Sequence, residues 1–287
     1  MKIKITTDST VDTTKEHLEE LGIGYIPLIV NLGEKECFDT VNVSNKDIID
    51  YVNTTKKLPK TAARSSEDLK EFFLSFLNDG YDKIIHVSIG EELSCTYNNA
   101  VNAAKEIGEN KVAVISSRVL STGTLLLAMC AKELVDKGES FDNVVKTVTQ
   151  RAYNTQVSFI VETIDYLHKG GRCSTMKALG ANLLKLRPKL QLVDGKIISN
   201  GIYRGKMNVL LKKYIDDTLA TYNNPDPAMC FITHADADRE VVKEVVEYVK
   251  SKNIFKEVRE SRANSTIFCH CGKGTLGILY LNDGGKF

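Results

Sequence analysis

Short apolar runs alternate with amphipathic stretches along the first half of the chain. Residues 2–6 follow the two-residue period of a half-buried strand, and Thr7-Asp8-Ser9-Thr10 breaks it. Asp12 or Thr13 is placed to cap a helix that runs to about residue 21 and is closed by Gly22 and Gly24. Residues 25–31 read as a second strand, and Gly33 turns into residues 36–40 as part of a small hairpin. Ser44 caps a helix with Ile48, Ile49 and Val52 on one face, and Pro59–Arg64 is a polar connection. Ser65 and Asp68 have the spacing of a capping box ahead of a helix over residues 69–78. A strand at 83–88, a helix to about 107, a strand at 111–116 and helices at 125–137 and 141–153 continue the alternation. Strands and helices in this order predict a mainly parallel sheet with helices on both faces.

The rhythm changes after Asn154. Residues 157–161 form a strand, and the paired glycines of Tyr166-Leu-His-Lys-Gly170-Gly-Arg172 mark a helix end. A helix is expected over residues 174–184, stopped by Arg187-Pro188. Residues 189–193 and 196–199 make a hairpin about Asp194-Gly195, the favoured dipeptide for a tight turn. A helix at 207–222, a strand at 229–234, a helix at 240–249, a short strand near Val258 and a closing strand at 276–281 complete the chain. The predicted fold class is α/β with two domains. Residues 1–155 carry the mainly parallel sheet, and residues 156–287 form a smaller, mixed α+β domain. No flexible linker separates them, which predicts a tight interface.

Charge narrows the function classes. Lys+Arg (38) and Asp+Glu (37) nearly cancel, so the basic footprint of a nucleic-acid binder is missing. The chain turns polar within its first eight residues, unlike a secretory leader. Its longest apolar runs fall short of the ~20 residues of a membrane span. The expectation is a cytoplasmic protein without stable membrane insertion. Seven scattered cysteines argue for reduced thiols rather than a disulfide framework. Cys269-His270-Cys271 lacks a C-x-x-C companion, and on a strand its thiols would point away from the imidazole, so no zinc site is expected.

Candidate chemistry gathers at predicted element ends. His86-Val-Ser88 closes a strand, and Leu93-Ser94-Cys95-Thr96 opens a helix, where free N–H groups and the helix dipole favour an anion. Ser94 is either a ligand contact or a plain helix cap. Thr7–Thr10, Thr61, Ser94–Thr96 and Ser116-Ser117 with Ser121-Thr122-Gly123 lie at or near strand ends that share one edge in a parallel sheet, so they are expected to meet in one polar pocket. No P-loop or dinucleotide fingerprint is present, and Asp8 lacks the second aspartate a phosphotransferase would use. A hydrolase would take Ser94 as nucleophile, His86 or His270 as base and Asp8 as orienter, although Ser94 is not in a G-x-S-x-G elbow. A small-molecule or phosphate sensor is a third class. His270 stands among glycines, which implies close backbone approach to something. Arg172, after two glycines, is an anion contact or a surface side chain.

Six pieces in order carry a resemblance: Ile5-Thr-Thr-Asp8-Ser-Thr10, Pro59-Lys-Thr61, Leu93-Ser94-Cys-Thr96-Tyr97, Leu120-Ser121-Thr-Gly123, Tyr166-Leu-His-Lys-Gly170-Gly-Arg172 and His270-x-Gly272-x-Gly274-Thr. Together they resemble the DegV family of bacterial fatty-acid-binding proteins over essentially the whole chain. The resemblance implies one long-chain fatty acid buried between the two domains, its carboxyl group held by Thr61 and Ser94. It implies a carrier that is not itself an enzyme and needs no cofactor. A separate fatty-acid kinase is its partner, and the acyl-phosphate product feeds phospholipid synthesis. His270, Arg172, Thr96 and Ser121 match positions near the head group or the kinase-facing surface. Ala62, Ala63, Arg64, Cys95, Ser116, Cys173 and Lys273 depart from the family pattern. Arg64 either adds a positive charge beside the carboxylate or faces solvent.

Overall fold

The structure, a computed structural model, describes residues 1–173 and 186–285. Its parallel sheet has the order β2-β1-β6-β7, from β1 (Ile3–Asp8), β2 (Gly24–Ile26), β6 (Lys83–Ser88) and β7 (Val112–Ser116). Helices cover both faces, which is why β6 is buried continuously from Ile84 to Ser88. Ile84 packs with α3 (Ser66–Asn78) and α4 (Thr96–Ile107). Its neighbour Ile85 faces the core built by α5 (Thr122–Asp136) and α6 (Phe141–Ala152). The first helix, α1 (Lys15–Glu20), takes its cap from Thr14 rather than from Asp12 or Thr13. Asp12 is instead wholly buried.

The single strand expected over residues 25–31 is split. Pro27 has no N–H to give a ladder, and beyond it β3 (Ile29–Leu32) enters a separate antiparallel sheet of order β4-β3-β5. Its partners are β4 (Lys35–Phe38) and β5 (Lys60–Ala62), so the expected polar connection at 59–64 carries a short strand. Packed on this sheet are α2 (Asn45–Thr55), closed at its start by the Ser44–Asp47 capping box, and α10 (Ser265–Cys271). Residues 269–271 therefore lie on a helix, not on the strand expected for them.

The third sheet has the order β10-β9-β8-β13-β11-β12. It is built from β8 (Thr155–Ile160), β9 (Leu186–Val193), β10 (Lys196–Arg204), β11 (Met229–Ala235), β12 (Glu257–Arg262) and β13 (Thr275–Leu281). Alternation decides what each face meets. Val157 and Phe159 join the core shared with α5, while Ile160 packs under α8 (Met207–Thr221) and α9 (Arg239–Ser251). Buried Val242, Val245, Val246 and Val249 give α9 its apolar stripe. Asp194 and Gly195 both have positive φ, 47° and 78°, as the expected two-residue turn requires. Arg187-Pro188 lies within β9, with Pro188 opposite Ile202. The helix expected at 174–184 lies outside the described residues. Between β8 and β9 runs the short helix α7 (Asp165–Gly170), ended by Gly171 at φ 73°.

Candidate functional site

The carboxyl ends of β1, β6 and β7 release loops along one edge of the parallel sheet. Those loops, β5, α10 and one face of the third sheet enclose a cavity of about 310 Å³, within the range of small-molecule sites. Leu28, Ile89, Leu93, Phe159 and Leu279 make its wall largely apolar. Of the groups expected to converge, Thr10, Thr61, Ser94, Cys95 and Ser121 line it, whereas Ser116, Ser117 and Thr122 do not; Arg172 and His270 line it too. Thr96 does not line it. It sits buried behind Ser94, with its hydroxyl 2.9 Å from Ser94 Oγ.

Thr61 is placed by the pairing of β5 with β3, where it faces Val30. Its Oγ1 lies 2.9 Å from Nε2 of His270, near the end of α10. Burial, and secondarily the charge of Arg172, bring the His270 pKa down to about 4, so the ring is neutral at pH 7. A neutral imidazole carries one N–H, and the hydrogen-bond network decides which nitrogen holds it. Nδ1 is buried without a partner among the described residues, and an orphaned N–H there would be unfavourable. The proton is therefore assigned to Nε2, which donates to Thr61 Oγ1 and leaves the Thr61 hydroxyl hydrogen free for a ligand.

Glycines explain how the ring fits. A Cβ on Gly170 would lie 2.7 Å from His270 Nδ1, and one on Gly272, at φ 72°, would lie 2.6 Å from the Tyr166 ring. The close approach that the glycines around His270 imply is thus the packing of α7 against α10. It joins two of the six ordered sequence pieces.

Ser94 lines the cavity just ahead of α4, whose N-cap position is Cys95 rather than Ser94, and its Oγ accepts from Thr96 N at 3.2 Å. Arg172 is exposed at the rim, with Nη1 donating to Gly170 O at 2.6 Å. Ser121 is deeper and buried, and its backbone (φ 61°, ψ −148°) lies in a region sparsely used by non-glycine residues. Its hydroxyl donates to the carboxylate of Asp12, a cavity-lining residue that sequence reasoning considered only as a helix cap. Thr122 pairs with Thr233 at 2.7 Å, and Thr10 donates to Asp8. On this inner wall Ser121, Thr10 and Thr233 are thus bonded to neighbouring side chains.

The family departures sort by position. Ala62 and Ala63 line the cavity and make its rim more apolar. Arg64 turns to Asp68 at 3.1 Å and lies over the Phe38 ring. That contact, led by the Arg64 hydrogen bond, holds the Asp68 carboxyl at about 2. Arg64 is therefore engaged away from the cavity. Cys95 is an exposed thiol at the cavity rim. Ser116 bonds Glu91.

A hydrolytic trio does not assemble. Ser94 makes no hydrogen bond to a histidine among the described residues, and the Asp8 carboxylate is taken up by Thr10, Ser88 and Ile89 N. His86 is fully buried, 3.0 Å from Thr6 Oγ1 and stacked edge-on against Phe73, and burial lowers its pKa to about 3. Burial also pushes the thiols of Cys269 and Cys271 up. Among the described residues, no helix is long and apolar enough to cross a membrane.

Residues 2–283 match the family model described as "Uncharacterised protein, DegV family". A protein named fatty acid-binding protein from Thermotoga maritima is 31% identical over 287 residues, covering 97% of each chain. The solved structure of a fatty-acid-binding DegV family protein from Thermus thermophilus superposes with a TM-score of 0.91 at 26% identity, covering 98% of this chain and 99% of that one. A second structure from Thermotoga maritima, reported to reveal fatty acid binding function, gives a TM-score of 0.81 at 28% identity over 98% and 99% of the two chains.

Proposed function

The chain belongs to the DegV family, and from that premise we propose that it binds one long-chain fatty acid and presents the carboxyl group to a separate fatty-acid kinase. The kinase forms the acyl-phosphate that enters phospholipid synthesis. This protein is the cytoplasmic carrier and needs no cofactor of its own. In this reading residues 1–155 supply the carboxyl-binding loops, and residues 156–287 cover the acyl chain. Thr61 and Ser94 donate to the carboxylate, with His270 and Thr96 orienting those hydroxyls. Arg172 stands at the rim near the head group, and Ser121 belongs to the inner wall.

The observation that carries the reading is the placement of two hydroxyls, Thr61 Oγ1 beside His270 and Ser94 Oγ beside Thr96, on a largely apolar cavity. Burying about fifteen methylenes contributes roughly 12 kcal/mol gross at ~0.8 each, before ordering and association costs. The tail therefore supplies affinity. A carboxylate drawn in with it needs hydrogen-bond donors, which Thr61 and Ser94 offer. A phosphate sensor would have no use for the apolar wall.

Organic extraction of the purified protein followed by mass spectrometry tests this directly. The expected result is one long-chain fatty acid per chain. A protein that yields none, and takes up none when supplied, would overturn the reading.

A further inference from the structure

Two aspartates that the proposed lipid contacts do not use are buried beside the cavity. Asp12 and Asp39 have no exposed surface, and both also line a second, polar pocket on the far side of the loop that carries Asp12. Each accepts a backbone N–H from the entry of α10. Asn264 N reaches Asp12 Oδ1 at 2.8 Å, and Ser265 N reaches Asp39 Oδ1 at 2.9 Å.

The rest of the network ties the same turn to the first strand's loop. Asn264 Nδ2 donates to Ser9 O at 2.9 Å and to Thr13 O at 3.1 Å. Ser9 Oγ donates to Asp39 at 2.9 Å, and Ser261 Oγ donates to the backbone oxygen of Asp12. Through its other carboxylate oxygen Asp12 receives the Ser121 hydroxyl on the cavity wall. Among the described residues no lysine or arginine forms an ion pair with either carboxylate. Burial raises both pKa values, and the two acids repel each other at Asp12. Such a pair is costly to keep, and a helix entry could be capped by a serine or asparagine at less cost.

What the arrangement achieves lies at the other end of the helix. From Ser265 the helix runs to Cys271, and His270 near its end meets Thr61. Fixing the first N–H groups of so short a helix fixes the position and rotation of its last turn. We propose that Asp12 and Asp39 are positioning residues for the head-group end of the cavity: they clamp the entry of α10, and α10 in turn sets His270 against Thr61. This rests on the fatty-acid reading for its consequence in binding, but the placement of His270 exists without ligand.

The test pairs a ligand-free readout with a binding one. Asp12 has φ 50°, so Asp12→Gly removes the carboxylate without straining the backbone. Asp12→Asn keeps an acceptor for Asn264 N, a partner for Ser121 and tolerance of that conformation. Imidazole 15N shifts of His270 are recorded on the ligand-free proteins, and palmitate and oleate affinities are measured on the same samples. Asp12→Gly is expected to move the His270 shifts and weaken binding about tenfold, the scale of one misplaced hydrogen bond. Asp12→Asn should restore both to near wild type, and Asp39→Ala should resemble Asp12→Gly.

Wild-type His270 shifts in both Asp12→Gly and Asp39→Ala would overturn the proposal, as would Asp12→Asn behaving like Asp12→Gly. Should Asp12→Gly fail to fold, Asp39→Ala and Asp12→Asn still decide the matter by the same shifts. A wild-type protein that binds neither lipid refutes the functional reading alone, because the His270 shifts report on positioning regardless.

Discussion

Replacing Thr61 by valine removes one hydroxyl and little else, since the side chains are near-isosteric and both suit a strand. Two losses follow. Nε2 of His270, 2.9 Å from Thr61 Oγ1, is left facing a methyl group. A buried donor stripped of its partner costs about 1–3 kcal/mol, and the half-buried ring points to the lower end of that range. For a protein of this size about 1 kcal/mol corresponds to a melting temperature lower by about 2–4 °C. The second loss appears only with ligand. A hydrogen bond to a charged carboxylate contributes about 1.5–3 kcal/mol, or about 10–150-fold in Kd.

The acyl tail is untouched, so binding should weaken without vanishing. Titration calorimetry with a fatty acid and with its methyl ester separates the terms. Wild type should prefer the acid, and Thr61→Val should lose most of that preference while keeping its affinity for the ester. A variant that melts lower yet binds the acid as tightly as wild type would refute the reasoning. The Thr61 hydroxyl would then serve His270 alone, and the carboxylate would sit elsewhere.

Gly170→Ala places a methyl group 2.7 Å from His270 Nδ1, and displacing the ring should cost about 1–3 kcal/mol as an overpacked contact. Fatty-acid affinity and thermal melting check it, and wild-type values in both would show that α7 yields freely. His86 supplies a pH dependence. Its folded pKa of about 3 lies below the ordinary value of 6.5, so the unfolded chain binds its proton first. The stability it contributes is complete above about pH 6.5 and is lost as pH falls toward 3, roughly 2 kcal/mol of it by pH 5. Denaturant melts of wild type and His86→Leu at pH 7 and 5 measure this, and equal losses in both proteins would count against it. Asp8, Asp12 and Asp39 have raised pKa values and work in the opposite sense. Their contribution is complete below about 3.8 and is lost as pH rises through the folded values, so they partly offset His86 in acid.

Much of the frame is legible in the residues because local chemistry and tertiary role agree there. Ser44 with Asp47 and Ser65 with Asp68 form capping boxes, and Asp194-Gly195 turns as its dipeptide dictates. The failures have a common cause in long-range context. Pro27 announces a break, but not that β3 leaves for another sheet. The strand expected from residue 189 begins earlier, at Leu186, because β10 pairs with it as far as Arg204, across Pro188. Asp12 reads as one cap among several candidates. Its partners Ser121 and Asn264 are 109 and 252 residues away, and no pattern local to Asp12 encodes them. Element ends alone place Thr61 and Ser94 in an expected polar pocket, but only the ordered motifs assign them to a carboxyl group, since each alone is indistinguishable from a turn or cap residue. Nothing nearby in sequence points from Thr61 to His270, 209 positions on.

The distribution of charge explains why the proposed site would hold a lipid without trapping it. A guanidinium enclosed with the carboxylate would gain strong Coulomb attraction, at the cost of a desolvation that the empty cavity would also bear. Among the described residues the one Arg or Lys lining the cavity, Arg172, is exposed at the rim, where solvent and salt weaken its pull. Inside, Ser121, Thr10 and Thr233 are already bonded to Asp12, Asp8 and Thr122. In the proposed function the hydroxyls of Thr61 and Ser94 fix where the carboxyl stops, while the apolar wall supplies the affinity. A carrier built this way can give up the head group to another protein's chemistry by breaking two neutral-donor hydrogen bonds, with the acyl chain still buried.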